Sequence, residues 1–290
     1  MAKARAIVKR RRAVRNIHKI TQTMQLIATA RFQKCLQRAV ASQPYTRKIT
    51  ELIQTLAGLE IADHPLLRPN QAQGRSLLLV ITSNRGLCGA YNAAVLRAAL
   101  EQRRALADAG LPPDMEIVGK KGINYLRFLD VPVTEKITDV EDRIAFERVR
   151  TMAERYMDLY ERNEVARVEV AYMQFLTVGV QRPTLARLLP IEPPQATPQQ
   201  EPHLRVEFEF SPPPAELLAH LIPEAVKIRL FQCFNDAIVS EQVARMVAMK
   251  AATDAAGDMI KFLTRQYNRA RQSQITTELA DIVGGANAVQ

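Results

Sequence analysis

Both ends of the sequence carry apolar residues at steps of three and four, the spacing that places side chains on one face of an α-helix. The N-terminal pattern extends from about residue 7 to about residue 56. Its apolar members are Val14, Ile17, Ile20, Met24, Ile27, Ala28, Phe32 and Cys35. Fifty helical residues would be about 75 Å long, and a helix of that length needs an equally long partner.

The partner is predicted at the other end of the chain, where a helical pattern starts near Pro214. Pro223 is expected to open or kink its main helix, which continues to Val283 and ends at Gly284 and Gly285. The predicted buried face comprises Leu230, Phe234 and Ile238, and then Ile260, Leu263, Tyr267, Ala270, Ile275, Leu279 and Ile282. Two narrow apolar seams of this kind predict a long antiparallel coiled coil.

The residues between the two helical ends follow a different pattern. Strands are predicted at 76–82, 115–119, 131–137 and 165–177, and helices at 91–109 and 140–162. Strands that alternate with helices indicate a Rossmann-like, mostly parallel α/β domain. The fold class is therefore α/β, with the coiled coil of the terminal helices bracketing this domain.

Three parts are expected along the chain. Residues 1–58 form an N-terminal shaft helix, 75–210 a globular α/β insert, and 214–290 a C-terminal shaft helix. A Pro-rich excursion at 190–214 contains the alternating stretch "LRVEFEF" at 204–210, which predicts an edge strand or ribbon.

The basic charge is concentrated in the N-terminal arm. The first fifty residues contain 13 Lys or Arg and no Asp or Glu, whereas the remaining residues contain 27 cations and 30 acids. Such an arm indicates a specialised contact surface. Nucleic-acid phosphates would satisfy its charge, as would acidic protein loops. We favour acidic protein, because the helix carries an apolar stripe over its full length and lacks a compact base-reading motif.

Two motifs in the middle region could carry chemistry. "TSNRGLCGAYN" at residues 82–92 could cradle a phosphate, present Cys88 as a nucleophile, or form a tight strand-to-helix turn. "VGKKG" at 118–122 could bind an anion at a helix start or form a solvated turn. The turn is the favoured interpretation of both. Asp139, Glu141 and Asp142 suit a charged helix start better than a metal site.

No catalytic, cofactor-binding or metal site is predicted from the remaining residues. The three cysteines lie far apart, which fits a reducing compartment and argues against a disulfide framework. No apolar run approaches the roughly 20 residues that span a bilayer.

Long stretches near both ends resemble the gamma subunit of F-type ATP synthases. These are "IHKITQTMQLIATARF" at 17–32 and "RMVAMKAATDAAGDMIKFLTRQYNRARQSQITTELADIVGGA" at 245–286. The motifs at 82–92 and 118–122 match that family's middle domain in the same order. The resemblance covers the whole chain and is weakest across 190–214, where "SPPPAELL" marks the entry to the last helix.

The resemblance implies a central-stalk rotor, which couples proton-driven rotation of a c-subunit ring to conformational cycling of the catalytic beta subunits. The implied partners are the alpha and beta subunits of the head, the epsilon subunit and the c ring. It implies no cofactor, no nucleic acid and no active site in this chain. The implied location is peripheral, on the cytoplasmic face of a bacterial energy-transducing membrane. A nucleic-acid binder that uses the basic arm is the alternative hypothesis.

The resemblance also assigns individual residues to partner contacts. Met24 falls where the family's shaft passes acidic loops of the beta subunits. Arg245 and Gln272 fall at positions that contact loops of the head, and Arg271 adjoins them. The apolar tail "ADIVGGANAV", which includes Ile282 and Val283, is expected in the bearing at the top of the head.

The sequence departs from the family pattern in the 82–92 motif. Asn84 stands where the family usually has Asp, and Ala90 and Tyr91 replace the commoner Gly-Phe pair. These departures concern local turn geometry in the insert.

Overall fold

The computed structural model describes residues 2–57, 65–70, 72, 74–191 and 214–289. Its helices are α1 (Ala2–Ala57), α2 (Tyr91–Asp108), α3 (Lys120–Phe128), α4 (Phe146–Glu161) and α5 (Pro214–Val289). Its strands are β1 (Ser76–Ile81), β2 (Pro113–Val118), β3 (Glu135–Ile137), β4 (Val168–Thr177) and β5 (Val180–Leu189). Helices α1 and α5 have 56 and 76 residues, which confirms the prediction of long terminal helices.

The five strands form one mixed sheet in the order β3-β2-β1-β4-β5. Strands β3, β2, β1 and β4 are parallel, while β4 and β5 form an antiparallel hairpin. The mostly parallel α/β domain is therefore confirmed.

The chain divides into two compact units. The helical unit contains Met1–Ala30 and Arg245–Gln290, and the sheet unit contains Arg31–Ala244. Helices α1 and α5 each contribute residues to both units.

Strand β1 is buried on both faces, which explains its continuous apolar sequence. Leu77 and Leu79 belong to the larger apolar cluster of the sheet unit, together with residues of α1, α4 and α5. Leu78 and Val80 belong to a second cluster, which α2 covers with Val95 and its neighbours. A strand covered on both sides has no polar face, so its sequence shows no alternation.

Helix α3 and strand β5 were not predicted from the sequence. Strand β5 lies at the sheet edge, and its first six residues, including Pro183, are exposed or half-buried. An edge strand tolerates proline because its outer edge needs no ladder hydrogen bond. The predicted strand at 204–210 lies outside the described residues.

Two predicted boundaries, the start of α4 and the end of α5, were wrong. Helix α4 begins at Phe146 rather than at residue 140, so Asp139, Glu141 and Asp142 lie in the loop before it. Helix α5 begins at Pro214, contains Pro223, and continues through Gly284 and Gly285 to Val289. A glycine pair thus does not end this helix.

Candidate partner-contact surface

Helices α1 and α5 pack antiparallel in the helical unit. The Arg11 guanidinium lies 5.1 Å from the ring centroid of Tyr267. Thr21 and Thr253 are hydrogen-bonded, with their hydroxyl oxygens 2.8 Å apart. Because residue numbers rise on one helix as they fall on the other, the two helices run in opposite directions. The predicted antiparallel coiled coil is confirmed in this unit.

The seam of α1 differs from the predicted apolar stripe. Ile17, Ile20 and Ile27 are 51%, 58% and 48% exposed. The residues that face α5 alternate in steps of four and three, as heptad positions do. The buried and half-buried residues of this seam are Ile7, Arg11, Val14, His18, Thr21, Gln25 and Ala28. Val14 and Ala28 lie in the seam as predicted, but the prediction was wrong for Ile17, Ile20 and Ile27, because small and polar side chains occupy the rest of the seam.

The outward residues form a second apolar row on α1. Ile17, Ile20, Met24 and Ile27 follow one another at steps of three and four, and Met24 is half-buried at the edge of the seam. This row lies on a helix without any acid between residues 2 and 50. An apolar row with basic neighbours suits a protein surface that is itself apolar and acidic.

The helical unit carries the net charge of the whole chain. It contains 14 Lys or Arg and 4 Asp or Glu, a net of +10, and the sheet unit contains 26 of each sign. The positive electrostatic potential around this unit therefore attracts acidic surfaces, most strongly at low ionic strength.

The end of α5 extends past the start of α1. In the register of Arg11 with Tyr267, the first residues of α1 lie opposite residues near 274–276. Ile275, Leu279, Ile282 and Val283 are 52%, 61%, 72% and 51% exposed. Ile275, Leu279 and Ile282 were predicted to lie in the seam, and that prediction was wrong: Ile275 lies opposite the first residues of α1 and is exposed, and Leu279 and Ile282 lie beyond the start of α1. Ile260, Leu263, Tyr267 and Ala270 do lie in the seam.

All six predicted partner-contact residues lie in the helical unit: Met24, Arg245, Arg271, Gln272, Ile282 and Val283. The five on α5 span 38 residue steps, or about 57 Å of helix. They are therefore distributed along the helix and do not line one pocket. Arg271 and Gln272 are exposed, but Arg245 retains only 8% exposure. Its expected position on the surface was wrong, because its neighbours bury it.

The 82–92 motif forms the tight turn between β1 and α2. Leu87 and Gly89 adopt positive φ angles of 64° and 57°. Cys88 is only 2% exposed, and its Sγ accepts a hydrogen bond from Asn92 Nδ2 at 3.3 Å. A thiol buried in this way is inaccessible to a substrate, so the geometry supports the turn and not the nucleophile.

The 118–122 motif has no anion site at the start of α3. The first three N–H groups of the helix donate to Asn84 Oδ1, Ser83 O and Thr82 Oγ1 at 3.0, 3.1 and 3.1 Å. Gly119 has a φ of 97°, and a Cβ there would lie 2.3 Å from the Thr82 carbonyl oxygen. The glycine therefore allows the helix start to approach the end of β1 closely.

The described residues show neither a membrane-spanning helix nor a metal-binding cluster. None of the helices in the described ranges combines the length and apolarity required to cross a membrane. The same ranges contain no group of three or more His, Cys, Asp or Glu that could hold a metal ion.

The comparison with known proteins identifies the family. The family described as "ATP synthase" matches residues 3–289. The ATP synthase gamma chain of Rhodopirellula baltica is 42% identical over the full length of both chains. This chain belongs to the ATP synthase gamma-chain family. A second family member, from Leptospira biflexa, is 34% identical over the full length of both chains.

Solved structures share the fold of the family. The rotor of the mitochondrial ATP synthase of Euglena gracilis contains a chain that matches with a TM-score of 0.64. The match covers 94% of this chain and 99% of that chain, at 17% identity. Two long terminal helices around a mostly parallel sheet are thus retained where little sequence similarity remains.

Proposed function

We propose that this chain is the central-stalk rotor subunit of an F-type ATP synthase. It couples proton-driven rotation of a c-subunit ring to the conformational cycle of the catalytic beta subunits. The observation that carries the proposal is the long antiparallel helix pair, whose exposed surface is basic and partly apolar, in a chain of the gamma family. A shaft must be long and stiff, and paired helices supply both properties.

The helical unit is the part proposed to turn inside the head of alpha and beta subunits. Its net charge of +10 attracts acidic loops without fixing one geometry, because charge attraction acts at a distance and has little directionality. Met24, Arg245, Arg271 and Gln272 are proposed to contact head loops. The exposed tail with Ile282 and Val283 is proposed to turn in the apolar bearing, where few directional bonds would resist rotation.

The sheet unit is proposed to contact the epsilon subunit and the c ring. The proposed functional parts are the shaft helices, residues 1–58 and 214–290, and the insert, residues 75–210. The chain contributes no catalytic group, since ATP is made on the head subunits. Its proposed location is the cytoplasmic face of a bacterial energy-transducing membrane, where other subunits hold it.

Reconstitution tests the proposal. The chain is mixed with purified alpha and beta subunits in 150 mM salt, which screens loose surface attraction. Co-elution as one large complex with a sharp rise in ATPase activity is the expected result. Separate elution without activation would contradict the rotor. Duplex DNA binding at the same salt concentration would instead support the nucleic-acid alternative.

A further inference from the structure

One carboxylate of the sheet unit holds both long helices. Asp142 lies in the loop between β3 and α4. Its Oδ2 accepts a hydrogen bond from Arg31 Nη1 of α1, and its Oδ1 accepts one from Gln242 Nε2 of α5 at 2.9 Å. Asp142 thus joins two helices that are 100 or more residues away from it in sequence.

The position of these contacts along the helices is informative. The sheet unit begins at Arg31 of α1 and ends at Ala244 of α5, and Gln242 lies two residues before Ala244. Asp142 therefore binds α1 and α5 at the level where both helices leave the sheet unit.

The loop that carries Asp142 is itself tied to the sheet. Asn84, in the turn after β1, donates from Nδ2 to the carbonyl oxygens of Thr138 and Val140 at 3.1 and 2.6 Å. Its Oδ1 accepts from the first N–H of α3, at Lys120. Arg85 Nη1 in the same turn lies 4.0 Å from Asp142 Oδ2. A continuous chain of polar contacts thus connects the end of β1 to both long helices.

The neighbouring contacts between helices and sheet are mostly apolar. Phe32 and Cys35 of α1 and Ile238 of α5 belong to the core cluster of the sheet unit. Apolar contacts hold surfaces together but have little directional preference. Charge-assisted hydrogen bonds are directional and stronger than neutral ones. At this level of the helices, Asp142 therefore adds a charge-assisted, directional restraint against twisting to the neutral hydrogen bond that Ser240 Oγ of α5 donates to Met173 O of β4 at 3.1 Å.

We propose that Asp142 is a positioning residue that transmits torque between the α/β insert and both shaft helices. This inference rests on the proposed rotor function. The hydrogen bonds of Asn84 to the loop transmit torque from the sheet to Asp142. The contacts of Asp142 with Arg31 and Gln242 then transmit it to α1 and α5. Loss of the carboxylate leaves the apolar packing in place but makes the connection torsionally softer.

The test is a single-molecule rotation experiment on the full complex with the head immobilised. Phe128 is 82% exposed on the insert, so Phe128→Cys offers a site for a biotin label and a bead. The three native cysteines are buried and do not compete for the label. The measured quantity is the angular variance of the bead while the head pauses during ATP hydrolysis.

Asp142→Ala is expected to raise this variance on the order of two-fold, because both charge-assisted contacts are lost. Arg31→Met and Gln242→Leu should each give a smaller rise, and they decide the question if Asp142→Ala fails to assemble. Asp139→Asn is the matched control, since Asp139 lies in the same loop and pairs with Arg148 of α4. It should leave the variance at the wild-type value.

Two failures are distinguishable. If the wild-type complex does not rotate, the rotor function is wrong. If the wild-type complex rotates, and the variance of the Asp142, Arg31 and Gln242 variants equals that of Asp139→Asn, the torque role of Asp142 is wrong.

Discussion

Thr21 of α1 and Thr253 of α5 place their hydroxyl oxygens 2.8 Å apart on the buried face of the helical unit. Thr21 Oγ1 also lies 3.1 Å from the His18 carbonyl oxygen, and Thr253 Oγ1 lies 2.8 Å from that of Met249. Each hydroxyl has one proton. One threonine therefore donates to the other, which donates to its own helix, and both groups are satisfied.

Replacement of Thr253 by valine should cost about 1 kcal/mol of unfolding free energy, the net value of one hydrogen bond. The substitution keeps the shape and β-branching of the side chain, and Thr21 can still donate to His18. Urea unfolding followed by circular dichroism measures the loss. Thr276→Val is the control, because exposed Thr276 donates its hydrogen bond to the Gln272 carbonyl of its own helix. Equal costs for the two variants would show that the contact between helices contributes nothing.

The same threonine pair shows where sequence patterns stop being informative. The existence of α1 and α5 followed from apolar spacing over dozens of residues. Two rows on α1 satisfy that spacing, however, one with Ile17 and Ile20 and one with Val14 and Thr21. The choice between them depends on how closely α5 approaches, which is a property of both helices together. Hydrophobicity favoured the isoleucines, and the structure buries the threonine.

The elements missed in the insert have a similar cause. Strand β5 is recognisable only through its pairing with β4, since its exposed first half resembles a loop. Asp142 looked like a helix-start acid, because its partners on α1 and α5 are 100 or more residues away. Of the candidate contact surface, its basic charge and its location on the terminal helices could be predicted. The burial of Arg245 could not.

Gly257 and Gly119 should respond to alanine in opposite ways. At Gly257, inside α5, an added Cβ would lie 3.9 Å from the His18 ring, an ordinary contact. Gly257→Ala should therefore stabilise the chain by about 0.5–1 kcal/mol through helix propensity. Gly119→Ala should destabilise it, because the φ of 97° and the 2.3 Å approach to Thr82 O leave no room for a Cβ. The two urea-unfolding midpoints should move in opposite directions; a shift of the same sign would refute this interpretation.

Asp236 should make stability depend on pH. Burial raises its pKa from 3.8 to about 6, although Gln232 donates a hydrogen bond to it. Because the folded-state pKa is raised, the neutral Asp236 carboxyl is tolerated in the folded chain at low pH. The free energy of unfolding falls as the pH rises through about 6, where the buried carboxyl must ionise. Asp236→Asn keeps an acceptor for Gln232 and removes the charge.

The gain in unfolding free energy from Asp236→Asn should therefore be small at pH 4 and grow to at most about 3 kcal/mol at pH 8. Subtracting the unfolding free energy of the wild-type chain from that of the variant at each pH removes the contribution of the other titrating groups. A gain that is the same at both pH values would mean that Asp236 is not desolvated in the folded chain.

The head-contact residues give the last prediction, because they separate coupling from stability. Gln272→Ala and Arg271→Ala should lower ATP synthesis by the reconstituted complex on the order of fivefold, equivalent to about 1 kcal/mol of lost contact energy. Both side chains are exposed, so the unfolding free energy of the chain should change by less than about 0.5 kcal/mol. Arg245→Ala should lower both quantities, since Arg245 is only 8% exposed.

Lys261→Ala is the matched control for these variants. Lys261 is an exposed cation on the same helix, and its ammonium pairs with Asp258 one turn away. It lies between Arg245 and Arg271 but outside the predicted contacts, so ATP synthesis should stay at the wild-type rate. Wild-type synthesis by the Gln272 and Arg271 variants would show that these residues do not touch the head. Equal losses in the Arg245, Arg271 and Lys261 variants, with wild-type synthesis by Gln272→Ala, would mean that the positive charge of the shaft matters and that individual contact points do not.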